Sequence, residues 1–505
     1  MKSCIIMPLV VMGFCLNGCN ISWQIQPFRG PKAINIVYSG DVIGEVDPCG
    51  CSSGQKGGIS RRSYFIKELR KKNPATVAFD TGNAFTSSYK LDPFLASLFT
   101  IKARFIVNAM NHMGYMGYVP GDKDIAVSLD NLSNIFSKAD FHILWTNKTN
   151  DKDFPVKSLV IGDVFGIGLK TGVFGLSLNR NPDKGLIKVF KGSFKRSMVT
   201  FKKSGVGLII LLYSGPYRFL DELSLNNVPI NIVILMSYEG QWWPKPRMFA
   251  KKRVLMVSIP KEGQYMGSLS IVVDNPSKSF EEKLVWMQAY FRMRFFESML
   301  NKKKIKNRDL VESRYKEIKT NEEELSHMNL YEWKIIPLDD KIPEDPQMQN
   351  SVEKLKADIQ QKYHNILKDR QKVPNKGEAS SHSSILGEKA CKNCHYQEWN
   401  AWRNTAHAKA FKTLSDLKVD QDPNCVLCHS TGLSKDLRLV ELIEHTALPD
   451  VQCDSCHGGN NEHLNNPSLF SMKRGAQKTV CEKCHTRSQS PNFNFERYID
   501  MIRCN

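Results

Sequence analysis

Before residue 381 the chain is poor in the residues that hold metals and cross-links. Only four of its twelve histidines lie there. Between about Ala33 and Ser277 the only cysteines are Cys49 and Cys51, enough for one local staple and too few for a disulfide framework. Long apolar runs are also missing. Past the N-terminal leader, none reaches the roughly 20 residues that a membrane-crossing helix needs. No Walker pattern accompanies the glycines from Gly50 to Gly58, so a phosphate-loop reading of that stretch is weak. Excess negative charge is absent as well. The net charge is +19, and residues 381–505 hold 15 Lys/Arg against 14 Asp/Glu, so +18 of it falls before that segment. At 505 residues the chain is too long for one core and should form two or three domains.

The leader MKSCIIMPLVVMGFCLNGC pairs one early lysine, Lys2, with a short apolar run and Leu16-Asn17-Gly18-Cys19. It resembles a bacterial lipoprotein signal, which implies acylation of Cys19 and a membrane tether over residues 20–32. The alternative is an ordinary secretory peptide cut nearby. Either way the chain is expected to be exported, as a periplasmic or outer-membrane-associated protein, and nucleic acid is excluded as a partner.

The last quarter is rich in what the rest lacks. Cys-x-x-Cys-His occurs four times, at Cys391/Cys394/His395, Cys425/Cys428/His429, Cys453/Cys456/His457 and Cys481/Cys484/His485. This is the spacing for c-type heme attachment. Two thiols bond the macrocycle and the adjoining imidazole becomes the proximal iron ligand. Zinc also takes Cys-x-x-Cys pairs but does not require a histidine after every one. Four more histidines stand outside the motifs: His382, His407, His445 and His463. Four hemes with four spare imidazoles is the count for a distal histidine on every iron, an arrangement suited to electron transfer.

Two of these histidines sit in contexts that carry a resemblance. The run CKNCHYQEWNAWRNTAHAKAF, with Trp402, Thr405, His407 and Ala408, and the segment VQCDSCHGGNNEHL, which ends near His463, resemble multiheme cytochromes c, specifically the tetraheme branch of the c-552/c-554 kind. The resemblance spans about Gly387 to Asn505 and implies a mainly helical, heme-packed domain with His407 and His463 as distal ligands. In that family one heme can keep an open position for small nitrogen species. His382 and His445 rest on the count alone.

Between about Ala33 and Ser277, apolar β-rich runs alternate with helical stretches: INIVYSG, TVAFDTG, DFHILWTN, GVFGLS, GLIILLYSG, INIVILMS, VLMVSIP and GSLSIVVD. This order predicts a layered α/β domain. SGDVIGE, GGISRR, FDTGN, MNHMGYMGYVPGDKD and LWTN together resemble the catalytic domain of 5′-nucleotidase-like metallophosphoesterases. That resemblance implies a two-metal cleft, yet the ligands depart from it. Ile43 stands where a histidine is expected after Asp41, Gly82-Asn83 fills the second element, and Lys123 replaces an imidazole within Gly121-Asp122-Lys123-Asp124. The later strands end in Tyr213-Ser214-Gly215 and Met236-Ser237-Tyr238-Glu239 without histidine. A catalytically degenerate domain is expected, with Asp41, Asp80, Asp122 and Asp124 in strand-end hydrogen bonding rather than around a hard cation.

Cys49 and Cys51 form a Cys-x-Cys pair just after the first strand, where ligand loops gather in α/β sheets. They read either as a loop staple, with Cys504 a possible third party, or as a redox or soft-metal pair. Residues 278–372 read as charged and helical, with Leu284, Met287, Phe291 and Phe295 at helical spacing expected to pack on a neighbouring domain, and a second helix over Met348–Lys368. Residues 373–386 read as a linker, and 387–505 as the tetraheme domain. The expected function is electron transfer between other redox proteins through four heme c groups, on a membrane via the lipid anchor, with the α/β domain as scaffold. The alternatives are a heme-based reductase of a small nitrogen or oxygen species and, disfavoured, a nucleotidase-like hydrolase.

Overall fold

The computed structural model describes residues 32–49, 54–87, 96–148, 154–221, 223, 229–238, 242–249, 253–301, 307–371, 385–420, 423–432, 448–472, 475–486, 489–490 and 492–502. All eight apolar runs predicted as strands contain one.

Two sheets stack face to face. The first has seven strands: β1 (Lys32–Ser39), β4 (Thr76–Asp80), β5 (Tyr115–Tyr118) and β6 (His142–Ile143) run parallel on one side, and β13 (Tyr265–Val273), β15 (Asn329–Pro337) and β14 (Phe280–Glu282) continue it on the other. Between these strands the chain forms a small ribbon, β2 (Pro48–Cys49) with β3 (Lys56–Gly57). The second sheet orders β11 (Arg247–Phe249), β12 (Val254–Ser258), β10 (Ile232–Leu235), β9 (Leu208–Ser214), β8 (Thr171–Ser177) and β7 (Leu159–Gly162). Its four central strands are parallel and β11 and β7 close it antiparallel.

Side-chain alternation builds three cores. Ile34, Ile36 and Tyr38 of β1 and Ile210 and Leu212 of β9 face each other between the sheets. Val37 points outward against α1 (Ile59–Lys72), α2 (Ala96–His112) and α3 (Leu129–Phe136). Ile209, Leu211 and Tyr213 of β9 face α4 (Lys184–Lys203), with α5 (Arg218–Asp221) beside it. The result is a four-layer αββα sandwich, with each fully buried large apolar side chain contributing about 1.5–3 kcal/mol. Tyr38 ties the layers together, since its hydroxyl donates to the Ser258 carbonyl of the second sheet at 3.4 Å and accepts from Trp333 Nε1 at 2.6 Å. Its ring lies over Gly267, where an added Cβ would come within 2.1 Å of it.

The segment 278–372 differs from the expectation. α6 (Lys283–Leu300) and α7 (Arg308–Ser326) are helices, and α8 (Pro346–Gln371) covers the expected second helix. Between them, however, Asn329–Pro337 is a strand paired with β13 over eight residues. Tyr331, Trp333 and Ile335 alternate with Glu332 and Lys334, a period of two hidden by the surrounding charge. α8 then adds Met348, Val352 and Leu355 to the core beneath α1 and α2. The sandwich therefore runs through α8 instead of ending near Ser277. The outward stripe of α6 does not pack as expected either: Leu284, Phe291 and Phe295 are exposed, while Met287 is half-buried. No helix among the described residues is long and apolar enough to cross a membrane.

From residue 385 onward the chain forms short helices joined by turns. Leu414 and Val426 are the buried apolar side chains among its described residues. Such a thin aliphatic core does not hold a domain of this size by itself.

Candidate heme-binding site

Each Cys-x-x-Cys-His motif winds into a helical turn. In the first, the backbone N–H of Cys394 and of His395 both bond to the Cys391 carbonyl, at 3.2 and 2.9 Å, and Cys484 and His485 repeat the pattern on Cys481 at the same distances. The second motif ends the helix Pro423–His429 and the third forms the helix Cys453–His457. A helical turn places residues three and four apart on one face, so both thiols and the imidazole of a motif face one space.

The motifs are interleaved in pairs. Cys391 and Cys453 are hydrogen-bonded, which holds the Cys391 thiol below its ordinary range and pushes Cys453 well above it. The Cys484 hydrogen bond does the same to Cys428, helped by burial. The first motif therefore lies against the third and the second against the fourth. Backbone clamps reinforce the first pairing: Asp454 accepts from the N–H groups of Leu386 and Gly387, both at 2.9 Å, and Gln452 Oε1 accepts from Glu388 N–H at 2.7 Å.

The imidazoles pair as well. His395 and His463 stand with ring centroids 6.4 Å apart and planes 22° from parallel, and His407 and His485 with centroids 6.1 Å apart at 55°. An iron bonded at about 2 Å to a nitrogen of each ring, with each ring centre about 1.1 Å behind its nitrogen, separates the centroids by about 6 Å. Both centroid separations match that spacing. Three candidate ligands have Nδ1 occupied, the contact that orients a ligating histidine: in the pairs, His463 Nδ1 donates to the Phe470 carbonyl at 2.6 Å and His485 Nδ1 bonds to Ser490 Oγ at 3.0 Å, and in the second motif His429 Nδ1 donates to the Ala410 carbonyl at 2.6 Å. Burial lowers the affinity of His407 and His485 for protons, and for His407 the neighbouring His485 and His429 add to the effect. Both rings are thus biased toward the neutral form, the one that binds metal. Phe493 stacks on His485 at 4.5 Å. The roles of Asp454 and Gln452 depend on long-range packing and have no local sequence signal.

His407 is set by the context that singled it out. Thr405 Oγ1 donates to the Trp402 carbonyl at 2.8 Å, Trp402 Nε1 donates to the Val451 carbonyl at 2.9 Å, and Val451 N–H returns to the His407 carbonyl at 3.1 Å. Together these contacts tie the distal candidate to the segment that leads into the third motif. His382 and His445 lie outside the described residues, as do Cys19, Cys51 and Cys504.

Cys49 belongs to the junction between the two halves. Its thiol donates to Gln489 Oε1 at 2.8 Å, and Gln489 Nε2 reaches Glu262 Oε2 at 3.4 Å. Cys49 is also close enough to Cys428 to add to the upward push on that thiol. The heme-motif half therefore sits on the loops at the ends of the sheet strands, beside the cleft.

In that cleft the carboxylates are engaged by protein donors. Asp124 accepts from the N–H groups of Asn83, Gly121 and Phe85 at 2.8, 2.7 and 3.2 Å and from the Tyr118 hydroxyl. Asp80 accepts from Ser39 and from Gly82 N–H, and Asp122 from Tyr238 at 2.7 Å. Asp41 accepts from Asn83 Nδ2 at 3.1 Å and faces the Lys123 ammonium at 3.4 Å. The cation of this cleft is carried by the chain. Gly121 makes the approach possible, since a Cβ there would meet Asn83 Oδ1 at 2.0 Å.

Residues 390–458 match the family described as cytochrome c554 and c-prime. Cytochrome c-554 of Nitrosomonas europaea is 30% identical over 140 residues, which cover 24% of this chain and 57% of that protein. Among solved structures, a 5′-nucleotidase precursor from Thermus thermophilus aligns with a TM-score of 0.45 at 13% identity, over 65% of this chain and 59% of that one. A calcineurin-like phosphoesterase from Bacillus subtilis aligns at 0.43 and 14%, over 65% and 98%. The chain thus spans little more than half the length of the first relatives it matches. Its C-terminal part is similar to cytochrome c-554, a likeness that implies heme c as cofactor, and its N-terminal fold is like that of the nucleotidase and calcineurin-like phosphoesterases.

Proposed function

We propose that this chain is an exported, lipid-anchored tetraheme cytochrome c that passes electrons between redox proteins, with the α/β sandwich as the scaffold on which the heme-bearing half is mounted. The observation that carries the reading is the pairing of imidazoles, His395 with His463 and His407 with His485, whose ring centroids are 6.4 and 6.1 Å apart, a spacing at which both rings of a pair would hold one heme iron. Heme c bound there would supply reversible one-electron iron chemistry in a coordinatively saturated site.

The chain's own residues have three tasks. Cys391, Cys394, Cys425, Cys428, Cys453, Cys456, Cys481 and Cys484 provide the thioether sulfurs, and His395, His429, His457 and His485 the proximal nitrogens. The carbonyls of Ala410 and Phe470 and the Ser490 hydroxyl orient the imidazoles through Nδ1. The interleaved pairing holds neighbouring sites in contact, which favours short electron hops. On this reading His407 and His463 are distal ligands, and His382 and His445 serve the two remaining sites. The Lys123 ammonium beside Asp41 opposes a hydrolase role, because it stands where a two-metal clamp needs its ligands.

Electron paramagnetic resonance of the oxidised protein, with heme counted per chain, tests this reading. Four low-spin hemes are expected. A high-spin fraction near one in four would replace the carrier with an enzyme acting on a small molecule at an open iron, and fewer than four hemes would overturn the count.

A further inference from the structure

Gln489 is held at both ends of its amide by the sandwich. Its Oε1 accepts from the Cys49 thiol at 2.8 Å and its Nε2 donates to Glu262 Oε2 at 3.4 Å. The next residue, Ser490, is buried, and its Oγ bonds to His485 Nδ1 at 3.0 Å. Two loops of the α/β half therefore end one residue away from the contact that orients a candidate axial histidine.

A tight turn carries this grip to the ring. Gln489 N–H donates to Thr486 Oγ1 at 3.2 Å, Ser490 N–H to the Thr486 carbonyl at 2.8 Å, and Phe493 N–H to the Ser490 carbonyl at 3.0 Å. Phe493 stacks on His485 with the ring planes 11° from parallel. A displaced Gln489 would disturb both the hydroxyl at Nδ1 and the ring on the face of His485. The kind of acceptor matters here. His429 and His463 direct Nδ1 at backbone carbonyls, of Ala410 and Phe470, whereas His485 relies on a side-chain hydroxyl that can rotate and whose neighbours must hold it.

The two gripping loops are themselves fixed. Cys49 of β2 pairs with Lys56 of β3, Ile59 N–H donates to the Val46 carbonyl at 2.8 Å, and the buried Lys356 ammonium of α8 meets Asp47 at 2.7 Å. Glu262 is held at a φ of 67° by its N–H on the Asp41 carbonyl at 2.7 Å, and its carboxylate meets the Lys261 ammonium at 2.8 Å. A residue with a side chain keeps such a conformation only where its surroundings over-determine it, and strain of this kind gathers at functional positions. Anchors at both ends of one amide leave the turn at Ser490 little freedom.

We infer that Cys49 and Glu262 are positioning residues for His485, acting through Gln489 and Ser490, so that the sandwich sets the reduction potential of the heme that His485 holds. This rests on the reading of His485 as an axial ligand. An acceptor at Nδ1 makes a ligating imidazole more basic, and hydrogen bonding of this kind is one of a protein's levers on potential.

Spectroelectrochemical titration of the full heme-loaded chain tests the inference, with His407→Ala marking the heme concerned by its change of spectrum. Ser490→Ala is expected to shift the equilibrium of that heme about tenfold toward the ferrous form, a rise of about 59 mV for one electron. Gln489→Ala, which cuts both grips, should move the same heme the same way. Cys49→Ala, which changes no charge and lies outside the heme motifs, should shift it about threefold, and Cys49→Ser, which keeps a donor to Gln489, should restore the parent value. A shift in Ser490→Ala that neither Gln489→Ala nor Cys49→Ala shares overturns the positioning role. Equal movement of every heme overturns it too, since that reports a general loosening of the junction. So does a shift confined to the heme of the second motif, whose Cys428 lies near the Cys49 thiol. Heme number and spin state of the parent judge the electron-carrier reading separately.

Discussion

His407 and His485 face each other 6.1 Å apart although 78 residues separate them, and the Nδ1 of His485 is already held by Ser490. In the holoprotein, His407→Ala should therefore convert one heme per chain from low spin to high spin while the others keep their signals. His463→Ala should do the same at the site of His395. Spectra unchanged by both substitutions would dismiss these pairs as axial ligands.

Lys123 and Asp41 form an ion pair that is mostly shielded, with side chains 17% and 5% exposed. Lys123→Met removes the charge and keeps the bulk, leaving a buried carboxylate with the Asn83 amide. A loss of about 1–3 kcal/mol in unfolding free energy is expected. Asp41→Asn in the same chain should recover part of it, and a double-mutant cycle in urea measures the coupling. Additive losses would argue against the pair.

Asp124 gives the sandwich a pH dependence with a definite sign. Burial pushes its carboxyl up to about 6, against the hydrogen bonds from Tyr118 and from the N–H groups of Gly121, Phe85 and Asn83. A carboxyl whose folded pKa lies above its unfolded value of about 4 binds its proton more firmly in the folded state. Its contribution is complete below about pH 4 and is lost as the pH rises to about 6. Asp41, Asp80 and Asp122 are pushed the same way by burial. Asp124→Asn should lower stability overall and flatten the fall between these pH values. An identical slope in the variant would assign the dependence elsewhere.

Gln489 bridges the halves by accepting from Cys49 and donating to Glu262. Gln489→Ala removes both bonds, each with a net contribution of about 0.5–1.5 kcal/mol. Faster amide exchange is expected around residues 46–49 and 485–493, with heme content intact. Unchanged exchange would show that other contacts hold the junction.

Local spacing made much of this molecule legible. The four heme motifs span five residues each, and the parallel strands of the second sheet are nearly uninterrupted apolar runs, so both could be recognised without knowing the fold. The strand Asn329–Pro337 was hidden because its apolar face is interleaved with Glu332 and Lys334 between two charged helices. The α6 stripe was visible as a stripe, but periodicity says only that a face exists and not whether the chain covers it. Lys123 could be seen to replace an imidazole, while its contact with Asp41 depends on a turn that brings together residues 82 apart. Which motif lies against which is likewise a matter of tertiary packing.

That packing has a consequence for how the heme-bearing half can be assembled. Because the first motif meets the third and the second meets the fourth, the half is not two tandem modules. A cut between the second and third motifs would break every pairing described above and leave neither fragment with a finished unit. Since a chain is made from its N-terminus, the first two motifs stay open until the last has followed, so completion of this domain is a single late event.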